Sequence, residues 1–177
     1  MAMFLLQKRL GEDTVNRALR NLLARHRFKG PPYLRTPDLI AALRAEANTE
    51  EEQALITDLW ERITLYDMKV DQPTAVQRPD GKWDVTLPIE AKKFYADGKG
   101  AEKATPLAER IEVGLFTDEP GRWEFDPSNI IMMERQAIRS GRHVLRFVTD
   151  RKPAHAGVDP YNFYIDRNSW DNLGPVG

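Results

Sequence analysis

The side chains able to do chemistry in this 177-residue sequence are few in kind. Cysteine is absent, which excludes thiolate nucleophiles, thiolate metal sites and disulfides together. What remains are three histidines (His26, His143 and His155), the carboxylates, and the amides and aromatics that could hold a substrate. A zinc site commonly draws two histidines one helical turn apart, as in H-E-x-x-H, and that pattern does not occur. The three histidines lie far apart in sequence, so ordinary surface or part-buried histidines are expected. No G-x-S-x-G, P-loop or dinucleotide-binding glycine pattern occurs either. Gly98 and Gly100, in a lysine-bearing loop, read as a turn ahead of a phosphate cradle. Glycosidase chemistry needs two placed carboxylates, and among 27 acids no pair stands out.

One acid-and-amide cluster does stand out: Asp159-Pro160-Tyr161-Asn162, then Asp166-Arg167-Asn168, then Asp171-Asn172. Such hard oxygen ligands suit calcium, but the D-x-[DN]-x-[DN]-G loop is missing and a strand is expected between the two ends. Turn chemistry is the preferred reading, with Asp and Asn side chains bonding local backbone. A sugar platform would need neighbouring aromatics. Trp60, Trp83, Trp123 and Trp170 are scattered, and Trp83 falls in a core alternation. No residue is assigned a catalytic, cofactor-binding or metal-binding role.

The elements that would position these groups divide at Thr49–Val70. Thr49 with Glu52 three residues on is a capping-box start. Leu55, Ile56, Leu59, Trp60 and Ile63 then form the apolar stripe of a helix. From Tyr66 the beat becomes Tyr66, Met68, Val70, which is strand alternation. Before this seam a helical pattern runs from about Met3 to Phe28 with a break near Gly11, Asp13 or Thr14 capping its second part, and Val15, Ala18, Leu19, Leu22 and Leu23 inward. Gly30 and Pro31-Pro32 end it, and Thr36 with Pro37 starts a helix to Ala47. About three helices are expected.

Arg17, Arg20, Arg25, Arg27 and Lys29 give the first segment a basic flank, read as a solvated helix face. A helix-turn-helix reading fails because the second helix carries only Arg44 as a cation. Lys/Arg and Asp/Glu balance in both halves, 10 against 9 through Tyr66 and 16 against 18 beyond, so no bulk footprint for nucleic acid or anionic membrane appears.

After the seam, Asp80-Gly81 predicts a hairpin between Met68–Arg78 and Lys82–Tyr95, with Trp83, Val85, Leu87, Ile89 and Ala91 inward. Pro88 places that second strand at an edge or bulge. Ala96–Thr105 reads as a loop. Further strands follow at Ile111–Leu115, at Ile130–Ile138 and His143–Val148 as a hairpin about Ser140-Gly141, and at Tyr161–Ile165. The predicted class is α+β: a helical segment over 1–66, then an immunoglobulin-like antiparallel β-sandwich of six or seven strands over 67–177. No stretch approaches the roughly 18 apolar residues of a membrane span.

Three stretches together resemble a known family. LLQKRLGEDTVNRALRNLLARHRFKGPPYLRTPDLIAAL resembles the late helices of the catalytic domain in gluzincin-type zinc aminopeptidases. ITLYD and the ending VDPYNFYIDRNSWDN resemble the C-terminal β-sandwich of a branch fused behind a bacterial ABC-type permease. The resemblance implies a non-catalytic accessory region of an inner-membrane-anchored peptidase, bracing or gating its site. The family's zinc-binding H-E-x-x-H and glycine-rich substrate motif are absent here, so no family ligand or catalytic position transfers to this chain. Zinc is expected in the parent enzyme and no cofactor in this chain, the partners being the rest of the peptidase and its peptide substrate, with no nucleic acid. The apolar start, Met3, Phe4, Leu5 and Leu6, is expected to lack an upstream neighbour, and so either to pair two copies through the N-terminal helix or to fold that helix back onto the sandwich. The alternative is a stand-alone β-sandwich binding module for protein or glycan.

Overall fold

The computed structural model describes residues 2–121 and 125–177; Trp123 lies outside them. The fold is α+β, with four helices and two antiparallel sheets among the described residues. The chain forms two compact units, one comprising the sequence up to Thr64 with Ala96–Gly100, the other Leu65–Tyr95 with Ala101–Gly177.

The first unit holds α1 (Ala2–Leu10), α2 (Glu12–His26), α3 (Thr36–Glu46) and α4 (Glu50–Trp60). There are four helices and not three, because the break at Gly11 is complete: its φ of +92° lies outside helical space. Gly11 is also the cap residue of α2, the place expected of Asp13 or Thr14, which lie inside the helix. Val15, Ala18 and Leu22 are buried as expected, whereas Leu23, one residue beyond the stripe, points to solvent. Leu5 and Leu6, expected to be uncovered, are buried, since α1 packs on both α2 and α4. Thr36 lies within α3, and the Asp38 carboxylate accepts from the backbone N–H of Arg35 before it. Thr49 caps α4 reciprocally with Glu52, at 3.2 and 3.1 Å. The helix ends at Trp60, so Ile63 opens a strand and is exposed, contrary to its place in the expected stripe. Arg44 bonds Gln53, Thr57 and Glu61 and ties α3 to α4, a packing use for the only cation of that helix.

The five-stranded sheet is built on β3 (Trp83–Ala96), with β1 (Ile63–Val70) and β2 (Thr74–Gln77) along one side; β4 (Glu102–Thr105) and β7 (Gly141–Thr149) also pair with it. The hairpin at Asp80-Gly81 is present, with Thr74 opposite Thr86 and Gln77 opposite Trp83. Its first arm is interrupted at 71–73, where Gln72 takes a φ of +49°. Pro88 sits opposite that interruption, its carbonyl accepting from Asp71, so the ring's missing N–H faces the break in a central strand and not a sheet edge. Part of the expected loop Ala96–Thr105 is strand β4.

The four-stranded sheet runs β6-β5-β8-β9, from β5 (Ala108–Phe116), β6 (Ile130–Arg139), β8 (His155–Val158) and β9 (Leu173–Pro175). The expected Ser140-Gly141 hairpin is therefore a crossing: β6 pairs β5 while β7 pairs β3. Val85, Leu87, Ile89 and Ala91 of β3 and Ile111, Val113 and Leu115 of β5 are buried. Trp83, expected among them, is only part-buried at the strand end, with the Lys152 ammonium 5.4 Å above its ring.

Candidate functional site

The densest polar chemistry of the second unit lies where the acid-and-amide ending meets β1. After β8 the chain turns at Asp159, whose φ of +46° takes it out of strand space, and Asn162 follows at +53°. The expected strand at Tyr161–Ile165 is consequently absent. Both Asp159 carboxylate oxygens accept backbone N–H groups, Phe163 at 3.0 Å and Tyr164 at 2.9 Å, in place of a ladder partner. Asp166 does the same from the other end, accepting from Met68 N–H and Asn168 N–H at 2.9 Å each. Backbone bonds complete the seam: Tyr66 N–H to Ile165 O and Arg167 N–H to Tyr66 O, both 2.9 Å. The Tyr66 and Tyr164 rings meet edge to face at 4.7 Å.

Asp159 is 1% exposed. Burial pushes its carboxyl up to about 7, against the pull of the two backbone N–H groups and with the charges of Asp166 and Glu112 adding to the rise. Burial likewise raises Asp166, opposed by its own backbone donors and by the nearby Asn172 amide. That amide is buried beside Asp166, yet neither its nitrogen nor its oxygen reaches hydrogen-bond geometry. An acid raised to about 7 could move a proton near neutral pH. Here the four oxygens are engaged by backbone amides and Asp159 is sealed from solvent, so the arrangement holds the chain. The same engagement is the local backbone capture expected of an Asp/Asn turn.

A second cluster lies alongside. Lys93, 6% exposed, continues the inward row of β3 and places its ammonium 2.7 Å from Glu109 on β5. The Tyr66 hydroxyl donates to the same Glu109 oxygen at 3.0 Å, and the ammonium stands 5.5 Å from the Tyr66 ring and 5.7 Å from that of Tyr95. Sequence reasoning missed this pair although its signal was present: Lys93 keeps the odd-numbered row of Val85 to Ala91, and Glu109 that of Ile111 to Leu115.

Beyond the acid ending opens a groove of about 290 Å³, lined by Glu119, Pro160, Asn162, Ser169, Trp170 and Asn172 among others. Trp170 is 92% exposed. The histidines are not gathered here: His26 closes α2, His143 lies on β7 with its Nε2 2.6 Å from Arg139 O, and His155 opens β8 with a buried, unpartnered Nδ1. Among the described residues no group of three or more His, Asp or Glu could hold a metal ion. No helix among them is long and apolar enough to cross a membrane.

No family model matches the sequence, and neither a curated protein nor a solved structure matches it.

Proposed function

We propose that this chain serves as a non-catalytic accessory region of a membrane-anchored zinc aminopeptidase of the gluzincin type, bracing or gating the peptidase site, with its sheets arranged as an immunoglobulin-like sandwich. The observation that carries the reading is how the D-P-Y-N-x-x-I-D-R-N-x-x-D-N ending is used. Two of its acids, Asp159 and Asp166, accept backbone N–H groups, three from the ending itself and one from Met68 of β1. A stretch spent on its own backbone suits a brace. In this reading the zinc belongs to an H-E-x-x-H elsewhere in the parent enzyme, in a bacterial inner membrane, and the peptide substrate reaches this region only as a neighbour. The coding frame upstream of the Met1 codon tests it: an in-frame H-E-x-x-H supports the reading, and an in-frame stop overturns it.

A second reading, a binding module for protein or glycan, draws on the groove beside Trp170. A bare indole next to Asn and Ser side chains is the kind of surface on which a sugar ring stacks. Quenching of indole fluorescence by an oligosaccharide, lost in Trp170→Ala, would support it; unchanged fluorescence across a broad oligosaccharide panel counts against it.

A further inference from the structure

The basic flank of the first unit has features that a solvated helix face does not need. Between Asp13 and Asp38 the sequence contains no acid. Arg20, Leu23, Ala24 and Arg27 stand at i, i+3, i+4 and i+7, on the side of α2 away from buried Val15, Ala18 and Leu22. Arg17, at one margin, is tied to Glu46 at 2.6 Å. The side-chain cations of Arg20, Arg25, Arg27, Lys29 and Arg35 have no carboxylate partner among the described residues. The Arg27 guanidinium lies 5.9 Å from the Phe28 ring. In the same stretch apolar side chains stand in the open: Phe28 is 99% exposed, Tyr33 72%, and Leu23 and Leu34 are exposed too.

The two features ask for different surroundings within 16 residues. Unpaired cations ask for anions, and exposed Leu, Phe and Tyr ask for a layer of low polarity. An acidic bilayer supplies both in one plane, phosphates for the guanidiniums and the acyl boundary for the apolar side chains. A nucleic acid would satisfy the cations and stack on Phe28 and Tyr33, but would leave Leu23 and Leu34 in water. We propose that the outer stripe of α2 and the loop through Arg35 dock the first unit on an anionic lipid surface, with Leu23, Phe28, Tyr33 and Leu34 entering the headgroup layer. The proposal goes beyond the peptidase reading and stands on residues of the first unit alone.

Co-sedimentation of the whole chain with lipid vesicles tests it. Binding is expected to vesicles of phosphatidylcholine with phosphatidylserine, not to phosphatidylcholine alone, and to weaken as salt rises. Each of Arg20→Gln, Arg27→Gln and Lys29→Gln should lower partitioning about fivefold, and the three together about a hundredfold. Phe28→Ser with Leu34→Ser keeps every charge and should still lower it more than about tenfold, because insertion is lost. These side chains lie outside the core, and a helical circular-dichroism spectrum checks that each variant folds. Failure of the native chain to bind phosphatidylserine vesicles overturns the proposal. So does native-level vesicle binding by the Phe28→Ser, Leu34→Ser variant together with tighter binding to single-stranded RNA, which would identify a nucleic-acid surface.

Discussion

Replacing Lys93 with Met tests whether the buried ion pair between the two sheets holds its place by coupling or by packing alone. The Lys93 side chain is 7% exposed and that of Glu109 16%, with 2.7 Å between charged atoms. Met keeps most of the volume of the stem but leaves the Glu109 charge with the Tyr66 hydroxyl as its partner. Breaking a buried pair from one side costs about 3–5 kcal/mol when the orphaned charge is fully sealed. Glu109 retains one hydrogen bond and some solvent, so about 2–3 kcal/mol is expected for Lys93→Met. Removing both charges, in Lys93→Met with Glu109→Leu, should return stability to within about 1 kcal/mol of the native chain. At roughly 1–3 kcal/mol per molar urea, the single substitution should lower the midpoint by about 0.7–3 M and the second should restore most of it. Hydrogen exchange of β3 and β5 amides through the urea series confines the measurement to the second unit. If the double variant falls as far as the two singles added together, the charges are not coupled and the reasoning fails.

Other consequences follow from single contacts. The Asp159 carboxyl, raised to about 7 from an ordinary 3.8, binds its proton more tightly folded than unfolded. The second unit should therefore lose stability as pH rises from about 4 to about 7, by at most about 1.4 kcal/mol per pH unit, and Asp159→Asn should flatten the slope of urea midpoint against pH. A Cβ added at Gly114 would stand 2.3 Å from a ring carbon of fully buried Phe116, so Gly114→Ala should cost about 1–3 kcal/mol in urea unfolding. Thr49→Ala removes the reciprocal cap of α4 and should lower the thermal stability of the first unit by about 1 kcal/mol, with Thr49→Ser restoring it. Leu6 is fully buried, so Leu6→Ala should cost about 2–5 kcal/mol of first-unit stability, where an uncovered leucine would change only the sedimentation coefficient.

The parts of the fold legible in the sequence are those that local rules decide. The Thr49 cap, the change of period after α4 and the β3 alternation need only neighbouring residues, and each is present. Ser140-Gly141 marked a turn, and a turn it is, but the residues of the turn do not choose which sheet receives each arm. That choice lies in the register of β6 with β5 and of β7 with β3, pairings distant in sequence. Lys93 is hard to place from sequence for a related reason. A lysine breaks the apolar alternation after Ala91, although the pleat carries it one step further inward to a partner on another strand.

Tyr161, Phe163 and Ile165 alternate as a strand should, and here the period misleads because backbone donors have a better acceptor nearby. A carboxyl group offers two oxygens where a carbonyl offers one, and those of Asp159 stand within reach of Phe163 and Tyr164. Once those two donors are turned toward one side chain, the segment cannot offer them to a neighbouring strand, and only the bridge between Tyr66 and Asp166 survives. Two acids of the cluster that suggested a cation site, Asp159 and Asp166, thus take the place of ladder acceptors. Each acid substitutes for part of a missing strand, and the burial that raises its pKa follows from standing where that strand would have been.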